Sequence, residues 1–191
     1  AAGYPVESLV VSTLQAISGA GYPGVSCLDM IDNVVPFIEG EEEKTERESL
    51  KILGTIENGR FIDDDSLAIS AHCNRVPVID GHTACVSLSF RSIKPSMDDI
   101  LAIWDAFQGA PQEMNLPSAP HPPILYREEP DRPQPRKDRE AGGGMAFTVG
   151  RLRACPVMDI RFVALSHNTV RGAAGGAILS AELLKAQGYI G

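Results

Sequence analysis

LAISAHCNRVPVIDGHTACVSLSFR, from Leu67 to Arg91, decides how this chain is read. Both of its ends alternate. Leu67, Ile69, Ala71, Cys73 and Arg75 share one face of a first strand. His82, Ala84, Val86, Leu88 and Phe90 share one face of a second, opposite Thr83, Cys85, Ser87, Ser89 and Arg91. Pro77 and the Asp80-Gly81 turn signal break the run between them. Arg75 and His82 stand seven residues apart, an odd number that puts them on opposite faces of any unbroken strand. With the break, each sits on the apolar face of its own strand, at the end nearest the connection. Charged or titratable groups in that position need partners or a purpose. Arginine forks onto carboxylates, and histidine moves protons near neutral pH. Either the two form a working pair, or they are a satisfied buried histidine and an arginine bound to a structural acid.

The same segment tests a metal reading. His72, Cys73, His82 and Cys85 are all zinc-ligand types, but alternation sends His72 away from Cys73 and His82 away from Cys85. No compact ligand spacing is present, and no metal site is expected.

At 191 residues the chain fits one domain with ample length for a core. Hydrophobic residues at 43% and charged ones at 22% are ordinary globular values, which argues against disorder. A formal net charge of -8 leaves no cationic surplus to neutralise nucleic-acid phosphates. No apolar run reaches membrane-spanning length, and AAGYPVESLVVS at the start lacks the regions of a signal peptide. Cys27, Cys73, Cys85 and Cys155 are scattered without a C-x-x-C motif, as in a reduced, cytoplasmic protein. The chain opens without methionine and almost at once in strand-like sequence, so a fragment of something longer is expected.

VESLVVSTLQAIS predicts a strand from about Val6 to Ile17, followed by a glycine-punctuated loop, GAGYPG. EEEKTERESLKILG predicts a helix over Glu41 to Leu53, acidic at its start and stopped by Gly54. A second helix is expected from Met97 to Phe107, with Ser96 as N-cap and Gly109 as its stop. Ala110 to Gly144 carries eight prolines and alternating charges and reads as a long unpacked loop. A short extended piece at Ile124 to Tyr126 could add a strand to it. MAFTVGRLRAC and DIRFVALSH resume strand patterning, and NTVRGAAGGAILSAELLKAQG announces a last helix ending at Gly188. Strands and helices do not alternate regularly, which favours an α+β domain with a largely antiparallel or mixed sheet.

Other candidates are weaker when taken from the residues alone. Glu41 and Lys44 share a helix face but read as a solvated i,i+3 pair. Gln15 is unremarkable, and GAGYPG lacks the lysine of a phosphate loop. The small residues from Gly172 to Ala177 suit either close approach of a ligand to a helix start or close helix packing.

Four blocks carry a family resemblance: LQAISGAGYPG, EGEEEKTERESLKILG, SAHCNRVPVIDGHT and VGRLRACPVMDIRFVALSHNTVRGAAGGA. In this order, over nearly the whole chain, they resemble aspartate-β-semialdehyde dehydrogenase of the fungal and archaeal type, in its C-terminal catalytic and dimerisation domain only. The resemblance implies a mixed, largely antiparallel sheet with helices on one face, as in the C-terminal domain of glyceraldehyde-3-phosphate dehydrogenase. It implies that His82 is the acid/base histidine, and that Arg75 grips the substrate carboxylate. Glu41 would face the substrate amino group, Lys44 would bind phosphate, and Gln15 would line the site. Asn168 and Gly172 would lie near the nicotinamide end of NADP.

The family reduces aspartyl phosphate to the semialdehyde with NADPH through a cysteine thioester, and it works as a homodimer or larger homo-oligomer. The nucleophilic-cysteine motif and the NADP-binding domain match nothing in residues 1–191, so the chain by itself is expected to be inactive. Two alternatives stand beside this reading: a domain of an N-acetyl-γ-glutamyl-phosphate reductase, and a non-catalytic dimerising module. The Glu41 to Lys44 block, suited to a free amino group and a phosphate, speaks against an acetylated substrate.

Overall fold

A computed structural model describes residues 3–191. Its strands are β1 (Val6–Gln15), β2 (Thr55–Glu57), β3 (Arg60–Ile62), β4 (Ala68–Arg75), β5 (His82–Phe90), β6 (Ile124–Arg127), β7 (Phe147–Ala154) and β8 (Ile160–Ser166). The α-helices are α1 (Cys27–Met30), α2 (Glu41–Leu53), α3 (Met97–Ala106), α4 (Ala110–Glu113), α5 (Pro135–Asp138) and α6 (Gly175–Ala186). Six strands form one sheet in the order β4-β1-β5-β8-β7-β6, and β2 pairs only with β3. The inner pairings are antiparallel, while β4 and β6 each join the sheet parallel to their neighbour. This is the mixed α+β architecture that the element pattern predicts.

The apolar face predicted for Leu67–Arg91 forms the centre of the core. Ala71, Val86, Leu88 and Phe90 are buried with Val11 and Ile160 against Ile100 of α3. Each such aliphatic or aromatic side chain contributes about 1.5–3 kcal/mol by leaving water. Ser96 starts α3 with a reciprocal cap: its Oγ accepts from Asp99 N–H at 3.1 Å, and its own N–H donates to the Asp99 carboxylate at 2.9 Å.

β4 is an edge strand, and α2 covers that edge. Glu42 and Glu46, one helical turn apart, accept the outward N–H groups of Cys73 and Ala71, both at 2.9 Å. The rise of one helical turn approximates that of two strand residues, so the carboxylates meet alternate N–H groups. A bridge to Val35 takes the next outward group, Arg75 N–H, at 2.8 Å. The acidic run is therefore more than a solvated face: it satisfies a strand edge that otherwise invites pairing.

Two readings need correction. β1 ends at Gln15 rather than Ile17, because Ile17–Ala20 winds into a 3₁₀ turn while Ile17 and Ser18 donate to Val78 O and Ile79 O. The Ala110–Gly144 stretch is not unpacked. It contributes α4, β6 and α5, buries Gln112 and Leu116, and lays Asp138 over the β7–β8 side of the sheet. Composition hid this because the packing is polar. Asp138 is 1% exposed and accepts Arg132 Nε–H at 2.7 Å and Gln134 N–H at 2.7 Å, with Arg127 Nε at 3.3 Å. Burial alone raises its carboxyl pKa, but the Arg132 and Gln134 hydrogen bonds and the two guanidinium charges bring it below the ordinary value.

Candidate active site

Three strand ends meet at one corner of the sheet. β1 and β4 run parallel and finish opposite each other at Gln15 and Arg75. On the other side of β1, Leu14 pairs with Thr83, which brings His82 beside Gln15. Arg75, Gln15 and His82 thus form one cross-strand row on the core-facing side of the sheet. The break at Pro77 to Gly81 does the work that the sequence spacing demands. Arg75 and Gln15 are buried, and His82 is half-buried.

The 3₁₀ turn after β1 folds over this row. The Ala16 peptide unit touches two of its members: Arg75 Nη1 donates to Ala16 O at 2.7 Å, and Ala16 N–H donates to His82 Nδ1 at 3.1 Å. Gly19 passes so close that a Cβ there would lie 2.9 Å from Arg75 Nη1 and 3.2 Å from His82 Nε2. Glu41, at the start of α2, accepts from Gln15 Nε2 at 3.4 Å, and Gln15 also donates to Thr13 Oγ1 at 3.3 Å.

Charge follows from this geometry. Burial, then the Arg75 guanidinium, push the His82 imidazole down to about 4, with Glu41 pulling the other way. Burial also lowers Arg75 while Glu41 opposes it, and the guanidinium stays charged. Among the described residues the Arg75 guanidinium makes no ion pair; its one hydrogen bond goes to Ala16 O. A structural acid therefore does not explain it. What remains is a positive group and a negative group flanking an amide and a neutral imidazole. That set complements a small zwitterion with a reactive carbonyl.

The other predicted residues fall around this centre. Lys44 lies 4.0 Å from Glu41 and is 55% exposed, on the rim. Asn168 sits behind the row: its Oδ1 accepts Gly81 N–H at 2.8 Å and its Nδ2 donates to Ser18 Oγ at 2.8 Å. It ties the turn before β5 to the turn after β1. Gly172 is apart, on a π-helical turn (Val170–Ala174) before α6, in an open groove with Arg171, Ala173 and Gly176. The glycines that follow are packing devices, since a Cβ on Gly175 would strike Met145 Sδ and one on Gly176 would strike Arg171 O. Ala16 and Gly19 are the residues that sequence reasoning missed. Ala16 acts through its backbone, which leaves no side-chain signal, and Gly19 was visible only as a loop glycine.

The family model for the semialdehyde dehydrogenase dimerisation domain matches residues 1–171. The chain belongs to that family. It is 50% identical over 183 residues to an aspartate-semialdehyde dehydrogenase of Methanothermobacter thermautotrophicus, a match covering 95% of this chain and 52% of the relative. Against the crystal structure of aspartate semialdehyde dehydrogenase with NADP from Candida albicans, the TM-score is 0.89 at 46% identity, over 97% of this chain and 52% of that one. Aspartate semialdehyde dehydrogenase II of Vibrio cholerae shares the fold with a TM-score of 0.75 at 24% identity, over 98% of this chain and 57% of that one. This member of the family spans about half the length of the curated relatives it matches. Among the described residues no helix is long and apolar enough to cross a membrane.

Proposed function

We propose that this chain is the substrate-binding and dimerisation domain of an aspartate-semialdehyde dehydrogenase, the enzyme that reduces L-aspartyl 4-phosphate to L-aspartate 4-semialdehyde. The observation that carries the reading is the row of Arg75, Gln15 and His82 with Glu41 set against it. Arg75 holds the α-carboxylate of the substrate and Glu41 its ammonium. Two opposite charges on rigid elements orient the small molecule so that its side-chain carbonyl presents to His82. Gln15 keeps Glu41 in place and lines the floor. Lys44, free to swing from the rim, meets the phosphate.

The acyl group is carried as a thioester on a cysteine. Among the described residues, none of Cys27, Cys73, Cys85 or Cys155 hydrogen-bonds to His82. On this reading the thiol is supplied from outside these four cysteines, and these 191 residues alone bind without turnover. NADPH, when bound, supplies the hydride. Of the two positions assigned to it, Gly172 lies in an open groove beside Arg171. Asn168 has both ends of its amide engaged and acts by supporting the site.

The open part of the sheet, where Val10 is 41% and Leu14 37% exposed, is the face on which a second copy would pack to make the homodimer. A reduced, cytoplasmic setting agrees with four free cysteines.

Calorimetric titration of the chain with L-aspartate 4-semialdehyde and with the N-acetyl-glutamate semialdehyde tests the assignment. Binding of the first only, weakened at least tenfold by Arg75→Leu, is expected. Preference for the acetylated compound would overturn it.

A further inference from the structure

We propose that the acidic tip Glu128–Asp131 of one copy of this chain docks on an arginine pair, Arg153 and Arg161, of a second copy. The proposal rests on the homodimer reading above and names the polar contact that orients the two open sheet faces.

Arg161 lies between Ile160 and Phe162, which both join the core, so it projects from the opposite, open face of β8. Pairing continues that face across the sheet: Val10 stands opposite Ser87, Ser87 opposite Arg161, and Arg161 opposite Arg153. Arg153 arrives there through a bulge. From Gly150 to Arg153 β7 advances three residues while β8 advances two, from Val163 to Arg161, and Arg151 within the bulge has φ 61. Like charges directly opposite each other destabilise a sheet unless something neutralises them.

The same copy does not. Among the described residues Arg151, Arg153 and Arg161 make no ion pair, although the chain carries a net charge of -8. Arg161 Nε is buried without a hydrogen-bond partner, a state that costs free energy until an acceptor arrives. Burial, then the Arg161 and Arg151 charges, push the Arg153 pKa down, with only the Cys85 and Cys155 thiols opposing.

The complementary charge stands beside the cluster. Arg151 Nη1 donates to Pro130 O at 2.7 Å, which pins the exposed Glu128–Asp131 tip next to the arginines. Glu128 makes no ion pair among the described residues, and Glu129 and Asp131 make only long ones, 3.7 Å to Arg132 and 3.4 Å to Lys137. A twofold interface requires a patch that is its own complement, so that each copy gives what the other takes. Cationic face and acidic tip, side by side, meet that requirement, and guanidinium forks match carboxylates.

Sedimentation equilibrium tests the proposal on three samples: Arg153→Glu with Arg161→Glu, Glu128→Lys with Glu129→Lys, and an equimolar mixture of the two variants, each first shown to be folded by thermal melting. Either reversal alone is expected to weaken the homodimer about hundredfold or more. The mixture is expected to recover near wild-type affinity, because in the heterodimer one contact is native and the other is reversed on both sides. Unchanged affinity in either variant, or a mixture that stays monomeric, overturns the proposal. A wild-type chain that is monomeric throughout overturns instead the homodimer reading on which it rests.

Discussion

Lowering the pH from 7 to 4 probes His82 without changing the covalent structure. Its folded pKa of about 4 lies below the 6.5 of the unfolded chain, so between those values the unfolded state binds a proton that the folded state refuses. The stability that His82 contributes is therefore complete above pH 6.5 and is lost as the pH falls toward 4. At about 1.36 kcal/mol per pH unit, the span from 6.5 to about 4 sets a ceiling near 3.4 kcal/mol. Solvent screening at a half-buried ring reduces this to about 1.5–2 kcal/mol. Urea unfolding at half-unit steps from pH 7 to 4, on the wild type and on His82→Gln, isolates the effect, because the carboxylates titrate alike in both. The wild-type curve is expected to fall more steeply by that amount, with most of the divergence between pH 6 and 4.5. Parallel curves would refute the account of a ring held neutral by burial and Arg75.

Three further substitutions address other parts of the argument. Gly19→Ala places a methyl between Arg75 and His82; semialdehyde binding measured by calorimetry is expected to weaken about tenfold or more while the melting temperature falls only slightly. Asp138→Asn leaves Arg127 and Arg132 without their carboxylate and is expected to destabilise the chain by about 3–5 kcal/mol in urea unfolding. Ser96→Ala removes the cap of α3, far from the site, and is expected to cost about 1 kcal/mol with semialdehyde affinity unchanged.

Much of this domain is legible from local pattern. Alternation in Leu67–Arg91 placed Arg75 and His82 on the apolar faces of two strands, and the Pro77 to Gly81 break allowed them to meet. The limits of α2 and the Ser96 cap followed from acidic residues at a helix start and glycine at its end. These features depend on backbone geometry within a few residues, which is why sequence alone determines them. The family, too, was readable from four ordered blocks.

Tertiary structure decided what depends on strand order and on backbone atoms. Only the insertion of β1 between β4 and β5 makes a row of Arg75, Gln15 and His82, and no periodicity encodes which strand lies between two others. Glu42 and Glu46 carry no signal of their own within the acidic run, and only the fold brings them to the edge of β4. The proline-rich segment packs through a buried carboxylate and isolated residues such as Leu116 rather than an apolar stripe, so its composition concealed it. Ala16 governs the site with an N–H and a carbonyl that every non-proline residue possesses. Its role comes from where the chain passes, and that path is a property of the folded sheet.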